Sequence, residues 1–470
     1  MMKKAAVHNL GCKVNSYELD VMVQELCHAG YQMVPFEEKA DLYLVNTCSV
    51  TSIADRKSRQ MLHRAKHLNP EALVIAVGCY VETDRKRLEE DPLVDLCIGN
   101  NRKAGIAEIV ESYLEGRMEE KETCANLTDH PVFESMQLEA PGRTRADIKI
   151  QDGCNQFCTY CIIPYARGRI RSRDPEEVME EIRRLAADGV KEVVITGIHL
   201  SSYGREKGLE PGTELLNLLT RIQLTAGIER IRLGSLEPRI ITESFARGIS
   251  RLSKVCPHFH LSLQSGCDET LRRMNRHYTA EEYREGVEIL RKYYDRPAIT
   301  TDIIVGFQGE TEEEFEKSRA FADEIRFYEI HVFKYSVRKG TAAEKLPNPC
   351  TAAQKAERSD VLLALTQRQA RQYRESFVGE QEELILEEKV TVNGSSFYTG
   401  HTMRYVEGLV PAEGHHQGEL VAGIVTGLSD DETRLILAGF RNKIAVNRKM
   451  RYDDISDLFM GSSAGEFCRE

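Results

Sequence analysis

Asp147-Ile148-Lys149-Ile150-Gln151, followed by Cys154-Asn155-Gln156-Phe157-Cys158-Thr159-Tyr160-Cys161, decides how this chain is read. The first five residues have the look of a strand. The next eight place three thiols at its carboxyl end in a C-x3-C-x2-C spacing. Structural zinc sites favour paired C-x2-C elements and four ligands, and no fourth Cys or His lies nearby. Iron–sulfur clusters are commonly held by four thiolates, so a cubane on three protein thiolates leaves one iron open to another ligand.

Working outward, five more strands follow in the same rhythm. They are read at Glu192–Thr196, Arg230–Gly234, His258–Leu263, Ala298–Val305 and Glu329–Tyr335, with helical stretches such as Pro175–Ala187 and Thr311–Ile325 between them. Asp174 before Pro175 is a good helix start. Six such units suit a partial or full β/α barrel, whose chemistry sits at the carboxyl ends of its strands.

Toward the amino terminus the alternation continues. Strands are expected at Lys4–Leu10, Asp41–Asn46, Ala72–Val77 and Asp95–Ile98, and helices at Ser16–Ala29 and Ala54–His67. This order implies a doubly wound parallel sheet. Cys12, Cys48 and Cys79 each follow one of its strands, and ligands bind beyond those carboxyl ends. Gly11 and Gly78 allow the tight backbone that close approach needs. The three cysteines converge as a second thiol set, or else remain separate buried side chains.

Toward the carboxyl terminus, Thr351–Phe377 reads as a long charged helix. After Gly379 short strand-like runs broken by Asn393-Gly394, Gly400, Gly408 and Gly414 read as a small all-β barrel. The fold class is therefore multidomain α/β: a doubly wound parallel domain at 1–116, a linker at 117–143, a partial β/α barrel with trailing helix at 144–376, a small β domain at 377–440 and a tail at 441–470. The length of 470 residues fits this division.

Lys+Arg is 63 against Asp+Glu 74, a net charge of −11, which leaves room for local basic faces. No apolar run reaches about 18 residues and the first residues lack a secretory pattern, so the expected location is the cytoplasm. Thirteen cysteines there point to metal or catalytic use and not to disulfides. The other seven share no spacing and read as packing.

The Cys154 triplet with an aromatic before its third cysteine resembles the radical S-adenosylmethionine (SAM) motif. Leu10-Gly11-Cys12-Lys13-Val14-Asn15, Asn46-Thr47-Cys48 and Val77-Gly78-Cys79-Tyr80 resemble the amino-terminal domain of methylthiotransferases. Cys161-Ile162-Ile163-Pro164-Tyr165-Ala166-Arg167-Gly168, Ser262-Leu263-Gln264-Ser265-Gly266 and Thr301-Asp302-Ile303-Ile304-Val305-Gly306-Phe307 are similar to the same family, and the last β segment resembles the TRAM RNA-binding domain. The resemblance implies two 4Fe–4S clusters, an auxiliary one on Cys12, Cys48 and Cys79 and a radical one on Cys154, Cys158 and Cys161. It implies SAM as methyl donor and radical source, an external electron donor, and a methylthio group placed on C2 of an adenine. Leu10–Asn15 and Thr196–Gly204 resemble the branch acting on threonylcarbamoyladenosine at position 37, beside the tRNA anticodon. Sister branches act on isopentenyladenosine in tRNA or on an aspartate of a ribosomal protein. A single-cluster enzyme with inert amino-terminal cysteines, or a zinc-stabilised RNA-binding module without activity, are the remaining readings.

Gly197, Glu237, Gln264 and Asp302 lie near strand ends and are candidates for the SAM pocket or for ordinary strand-end hydrogen bonding; His199 reads as a satisfied strand-end polar residue or else a proton relay, and Tyr160 lies beside the adenine of SAM or braces the cluster loop. RNA contact is expected from Arg167, Arg169, Arg171 and Arg173 beside the radical loop, and from Phe397, Tyr398 and Arg404 in the β domain. Arg56, Lys57, Arg59, Arg64 and Lys66 form a further patch, or simply a solvated helix face. Unstacked anticodon-loop bases are the kind that proteins read in RNA.

Overall fold

The computed structural model describes residues 3–118, 122–123, 132–139, 144–347 and 350–441. The expected tail lies outside the described residues from 442 onward.

The amino-terminal sheet contains β1 (Lys4–Asn9), β2 (Gln32–Met33), β3 (Leu42–Thr47), β4 (Leu73–Gly78), β5 (Leu96–Ile98) and β6 (Glu122–Thr123) in the order β2-β1-β3-β4-β5-β6. All pairings are parallel. Alternate residues serve opposite faces. Leu42, Leu44, Ile75, Val77, Leu96 and Ile98 pack with α1 (Lys13–His28) and α5 (Ile106–Leu114). Tyr43, Val45, Val74, Ala76 and Cys97 pack on the other side with α2 (Ser52–Leu68) and α4 (Arg85–Glu89). Strand order reverses at β1 and β3, which makes their carboxyl ends the crevice of the sheet. Cys79 opens the short helix α3 (Cys79–Thr83) directly after β4.

The expected linker is more than a tether. Met136 and Leu138 are buried in the amino-terminal core. The Tyr17 hydroxyl donates to the Met136 carbonyl, and the Leu138 amide to Glu181. Residues 132–139 thus strap the first domain to α7 (Pro175–Ala187). Two apolar residues without helical or strand period gave no signal of it.

The central domain has β7 (Arg145–Asp152), β9 (Glu192–Gly197), β10 (Arg230–Leu233), β11 (His258–His260), β12 (Ala298–Val305) and β13 (Glu329–Lys334), all parallel, with β8 (Arg171–Ser172) antiparallel to β7. Isolated bridges Ile231–Val255 and Leu236–Leu261 join the two halves into one open barrel. Helices α6 (Ile163–Arg167), α7, α8 (Thr213–Gln223), α9 (Glu243–Ser250), α10 (Asp268–Arg273), α11 (Ala280–Tyr293), α12 (Glu312–Ile325) and α13 (Ala352–Glu375) follow the strands. Ile148, Ile150, Val193, Ile195, Ile231, Leu233, Phe259, Ile299 and Ile303 face the helices in one large core. The alternate positions Asp147, Lys149, Arg232, His258, His260, Thr300, Asp302 and His331 therefore face the lumen, which is polar.

Strands β14 (Gln381–Val392), β15 (Ser395–His401), β16 (Glu407–Pro411), β17 (Leu420–Leu428) and β18 (Leu435–Arg441) close into the small barrel. It caps the amino end of the lumen. Arg230 donates to the carbonyls of His401 and Glu383 at 2.7 Å, and Arg232 to that of Met403 at 2.9 Å. Tyr405, at φ +63°, stacks on His401 with the Arg232 guanidinium 4.7 Å away.

Candidate active site

The first thiol set forms where three strand ends meet. Gly11, at φ +113°, leaves room that a Cβ would fill, 3.1 Å from the Cβ of Cys48 and 3.3 Å from its Sγ. Asn15 Nδ2 donates to the carbonyls of Leu10 (2.8 Å) and Thr47 (3.0 Å), tying the ends of β1 and β3 together. Thr47 Oγ1 donates to the Val77 carbonyl at 2.6 Å and ties in β4. Cys48 and Cys79 are buried, and Cys48 lies within electrostatic reach of both Cys12 and Cys79. Two donors face Cys79 Sγ: Arg167 Nε at 3.3 Å and Asn100 Nδ2 at 3.6 Å. Cys12 opens onto a cavity of about 650 Å³, lined also by Lys13, Arg145, Asp147, Arg232, Glu387 and Tyr405.

The second set lies on the loop between β7 and α6. Gly153 (φ +69°) begins it, and a Cβ there would lie 1.9 Å from the Arg169 carbonyl oxygen. Cys154 and Cys158 are buried and Cys161 is half-buried, and Cys161 is within electrostatic reach of the other two. The loop is held from the far side of the barrel. The Thr159 amide donates to the Met274 carbonyl, Asn275 Nδ2 to that of Phe157, and the Ala343 amide to that of Thr159. Arg276 Nη1 donates to Cys158 Sγ at 3.3 Å. Tyr160 packs edge-on against Phe307 and so braces the loop.

Burial pushes the thiols of Cys48 and Cys161 up to about 12 and that of Cys154 to about 11. Buried thiols give up their protons to a bound metal, and each set has a guanidinium N–H aimed at one of its sulfurs. Three sulfurs, adjacent donors and glycines where a side chain would intrude fit an iron–sulfur cluster at either place.

The two sets are linked by one side chain. Arg167 ends the helix that follows the second loop, yet its Nε reaches Cys79 of the first. It also pairs with Glu18 at 2.8 Å and Asp152 at 3.3 Å, and donates to Asn15 Oδ1 at 2.6 Å. Lys103 and Lys149 complete this buried network around Glu18. Burial alone would raise the Glu18 carboxyl, but Arg167, Lys103 and Lys149 hold it well below the usual carboxylate range.

This corrects the expected RNA patch. Arg167, Arg171 and Arg173 are buried. Arg171 pairs with Asp152 and donates to Asn101, and Arg173 pairs with Glu181 and donates to the Tyr17 hydroxyl, so all three tie the central domain to the first. Arg404 is corrected too: it pairs with Glu382, donates to the carbonyls of Asp295 and Arg296, and lies over the Phe377 ring. Arg169 is exposed and stacks on Phe157 at 4.6 Å. Phe397 and Tyr398 are half-buried on β15. On α2, Arg56, Lys57 and Arg64 are exposed, whereas Arg59 donates to the Tyr80 hydroxyl and Lys66 pairs with Asp95.

Of the expected SAM-pocket residues, Glu237 lines a cavity of about 390 Å³ together with Asn155 and Gln156 of the second loop and with His199. Burial lowers His199 to about 4, so it is neutral at physiological pH. Gly197 packs against Gln151. Gln264, at φ +68°, and Asp302 lie on the opposite wall, joined by the Gln264 amide and the Asp302 carbonyl. Arg276, Asn275 and Asn100 gave no signal in the sequence, because each reaches its sulfur or loop only through tertiary folding.

Comparison with known proteins places this geometry. The Radical SAM superfamily profile matches residues 148–322, and the Uncharacterized protein family UPF0004 profile matches residues 4–99. The threonylcarbamoyladenosine tRNA methylthiotransferase MtaB of Bacillus subtilis (strain 168) is 39% identical over 86% of this chain and 90% of its own length. The tRNA-2-methylthio-N(6)-dimethylallyladenosine synthase of Pelotomaculum thermopropionicum is 33% identical over 91% and 96%. The chain belongs to the radical SAM methylthiotransferases. As such it is an enzyme that uses SAM and 4Fe–4S chemistry. The methyltransferase TsrM of Kitasatospora setae, solved with cobalamin and a 4Fe–4S cluster, shares the fold at a TM-score of 0.51 and 17% identity, covering 71% of this chain and 72% of TsrM. No helix among the described residues is long and apolar enough to cross a membrane.

Proposed function

We propose that this methylthiotransferase modifies C2 of N6-threonylcarbamoyladenosine at position 37 of tRNA, beside the anticodon, with two 4Fe–4S clusters. The observation that carries the reading is the pair of cysteine sets bridged by Arg167, one at the end of β7 and one at the crevice of the first sheet. Cys154, Cys158 and Cys161 would hold the radical cluster, and Cys12, Cys48 and Cys79 the auxiliary one. Bound there, the clusters and SAM supply the reductive and sulfur-donating chemistry that puts a methylthio group on an unactivated ring carbon. Arg276 and Arg167 would direct N–H groups at cluster sulfurs. Glu237 and the neutral His199 would line the SAM pocket.

The branch is supported by the name of the 39% identical relative and by the cavity beside Cys12. Its lining of Lys13, Arg145, Asp147 and Glu387 is polar, which suits the hydrogen-bonding threonylcarbamoyl group better than an apolar isopentenyl group. The anticodon loop would be met by Arg169, Arg56, Lys57 and Arg64, with Phe397 and Tyr398 offering rings for stacking. An external one-electron donor would serve the clusters.

Two measurements test this. Iron after anaerobic reconstitution is expected at about eight per chain, falling to about four in a Cys12/Cys48/Cys79→Ala triple variant. Four in both would make the first cysteine set structural. Mass spectrometry of nucleosides from tRNA incubated with enzyme, SAM and reductant is expected to show methylthiolated threonylcarbamoyladenosine. Conversion of isopentenyladenosine alone would move the chain to the sister branch.

A further inference from the structure

Three metal-ligand side chains meet on the lumen wall away from both cysteine sets. His260 ends β11, Asp302 lies on β12 and His331 on β13. The register explains the meeting. His260 pairs with Thr300 and Asp302 with His331, and in a parallel sheet register partners share a face. His260 Nε2 lies 3.3 Å from Asp302 Oδ2, and the two imidazole rings are stacked with centroids 5.7 Å apart. One ligand atom from each residue lies within 4.8 Å of the other two. A tetrahedral ion with ligands at about 2.1 Å spaces its ligand atoms about 3.4 Å apart, so small side-chain rotations close the set.

The surroundings orient these residues as a metal site requires. His260 Nδ1 faces Thr300 Oγ1 at 3.1 Å, which leaves Nε2 for the ion. His331 Nδ1 lies 3.8 Å from Glu329 Oε1, beyond hydrogen-bond reach, so its ring can turn either nitrogen toward the ion. For His260, a hydrogen-bonded partner such as Thr300 fixes ring orientation and tautomer as outer partners do in metal centres. Among the described residues no lysine or arginine forms an ion pair with Asp302, whose carboxylate faces His260. The His260 side chain is 13% exposed, that of Asp302 28% and that of His331 46%, so the group is open on its lumen side.

We propose that His260, Asp302 and His331 form a binding site for one divalent first-row transition metal ion, distinct from the iron–sulfur clusters. Two imidazoles and one carboxylate on one side of an ion leave its remaining positions to water or to an oxygen of a bound ligand. The donor set suits Zn²⁺, Fe²⁺, Co²⁺ or Mn²⁺ and not a soft ion such as Cu⁺. The site does not depend on which base the enzyme modifies.

The probe is Zn²⁺ alone. Anaerobically reconstituted holoenzyme is equilibrated with Zn²⁺, gel-filtered, and analysed for zinc and iron together. About one zinc per chain is expected in the wild type. His331→Gln, at a half-exposed position, and His260→Ala are each expected to weaken zinc at least about tenfold with iron unchanged. Equal zinc in wild type and variants at equal iron, or no zinc retained by the wild type, overturns the proposal. Should a variant lose iron, zinc-edge anomalous scattering from wild-type crystals decides. A peak among the three side chains supports the site, and its absence there overturns it.

Discussion

The Gly153 backbone is held in the left-handed region with the Arg169 carbonyl where a side chain would begin. Gly153→Ala therefore forces the cysteine loop to move, because both the strain and the overlap fall on backbone. Iron in that variant is expected to fall from about eight to about four per chain, with the amino-terminal set still loaded. Loss of all the iron would show instead that the whole chain had unfolded. Arg276 acts at the same loop through its contact with Cys158 Sγ. Removing an outer partner of a metal ligand typically costs about 10–100-fold in activity or affinity. Arg276→Gln is expected to cost activity in that range while the fold, followed by circular dichroism, stays intact. Exposure separates the arginines that can touch RNA from those that cannot. Arg169→Ala is expected to reduce the slope of log K against log salt for tRNA binding by about one. Arg404, committed to Glu382 and two carbonyls, has no such contact to lose, and Arg404→Ala leaves the slope unchanged.

At the scale of elements, α1 joins the first domain to the barrel through Glu18, which meets Lys103, Lys149 and Arg167 in full burial. Glu18→Gln removes the shared anion and leaves those cations partly uncompensated, a change worth about 3–5 kcal/mol in comparable buried pairs. A lower urea midpoint follows, and an unchanged midpoint would mean that Asp152 alone balances the cluster. Such elements also show what sequence reveals. The six barrel strands, α1, α2, α7, α12 and α13 announce themselves by period and caps, as with Asp174 accepting from the Glu176 amide. Residues 132–139 carry two core side chains without any period, and nothing local marks them. The convergence of Cys12, Cys48 and Cys79 is legible because strand ends of a parallel sheet share an edge. The arginines were misread because a run such as Arg167-x-Arg169-x-Arg171-x-Arg173 looks basic and exposed until Glu18, Asp152 and Glu181 arrive from elsewhere in the chain.

The whole molecule is three folds closed around one polar lumen, and charge is what closes it. At the amino end, Glu192 is buried between Arg232 at 2.7 Å and Arg230 at 3.7 Å, and the same guanidiniums hold carbonyls of the small barrel. Burial raises the Glu192 carboxyl, but Arg232, Arg230 and Arg145 outweigh it and bring the group down to about 2. A carboxyl depressed in the folded state stabilises fully above its unfolded value, about 4.3, and that contribution fades as pH falls through the folded value. Those arginines and Glu192 all lie on strands of the central barrel, so the stability of that barrel is expected to hold at pH 5 and to fall between about pH 4 and pH 2. Urea titrations followed by circular dichroism would show this as a midpoint that falls below about pH 4. Glu192→Gln carries the same loss to neutral pH. Its urea midpoint at pH 7 is expected to lie below that of the wild type, and an unchanged midpoint would show that the carbonyls of the small barrel alone satisfy Arg230 and Arg232.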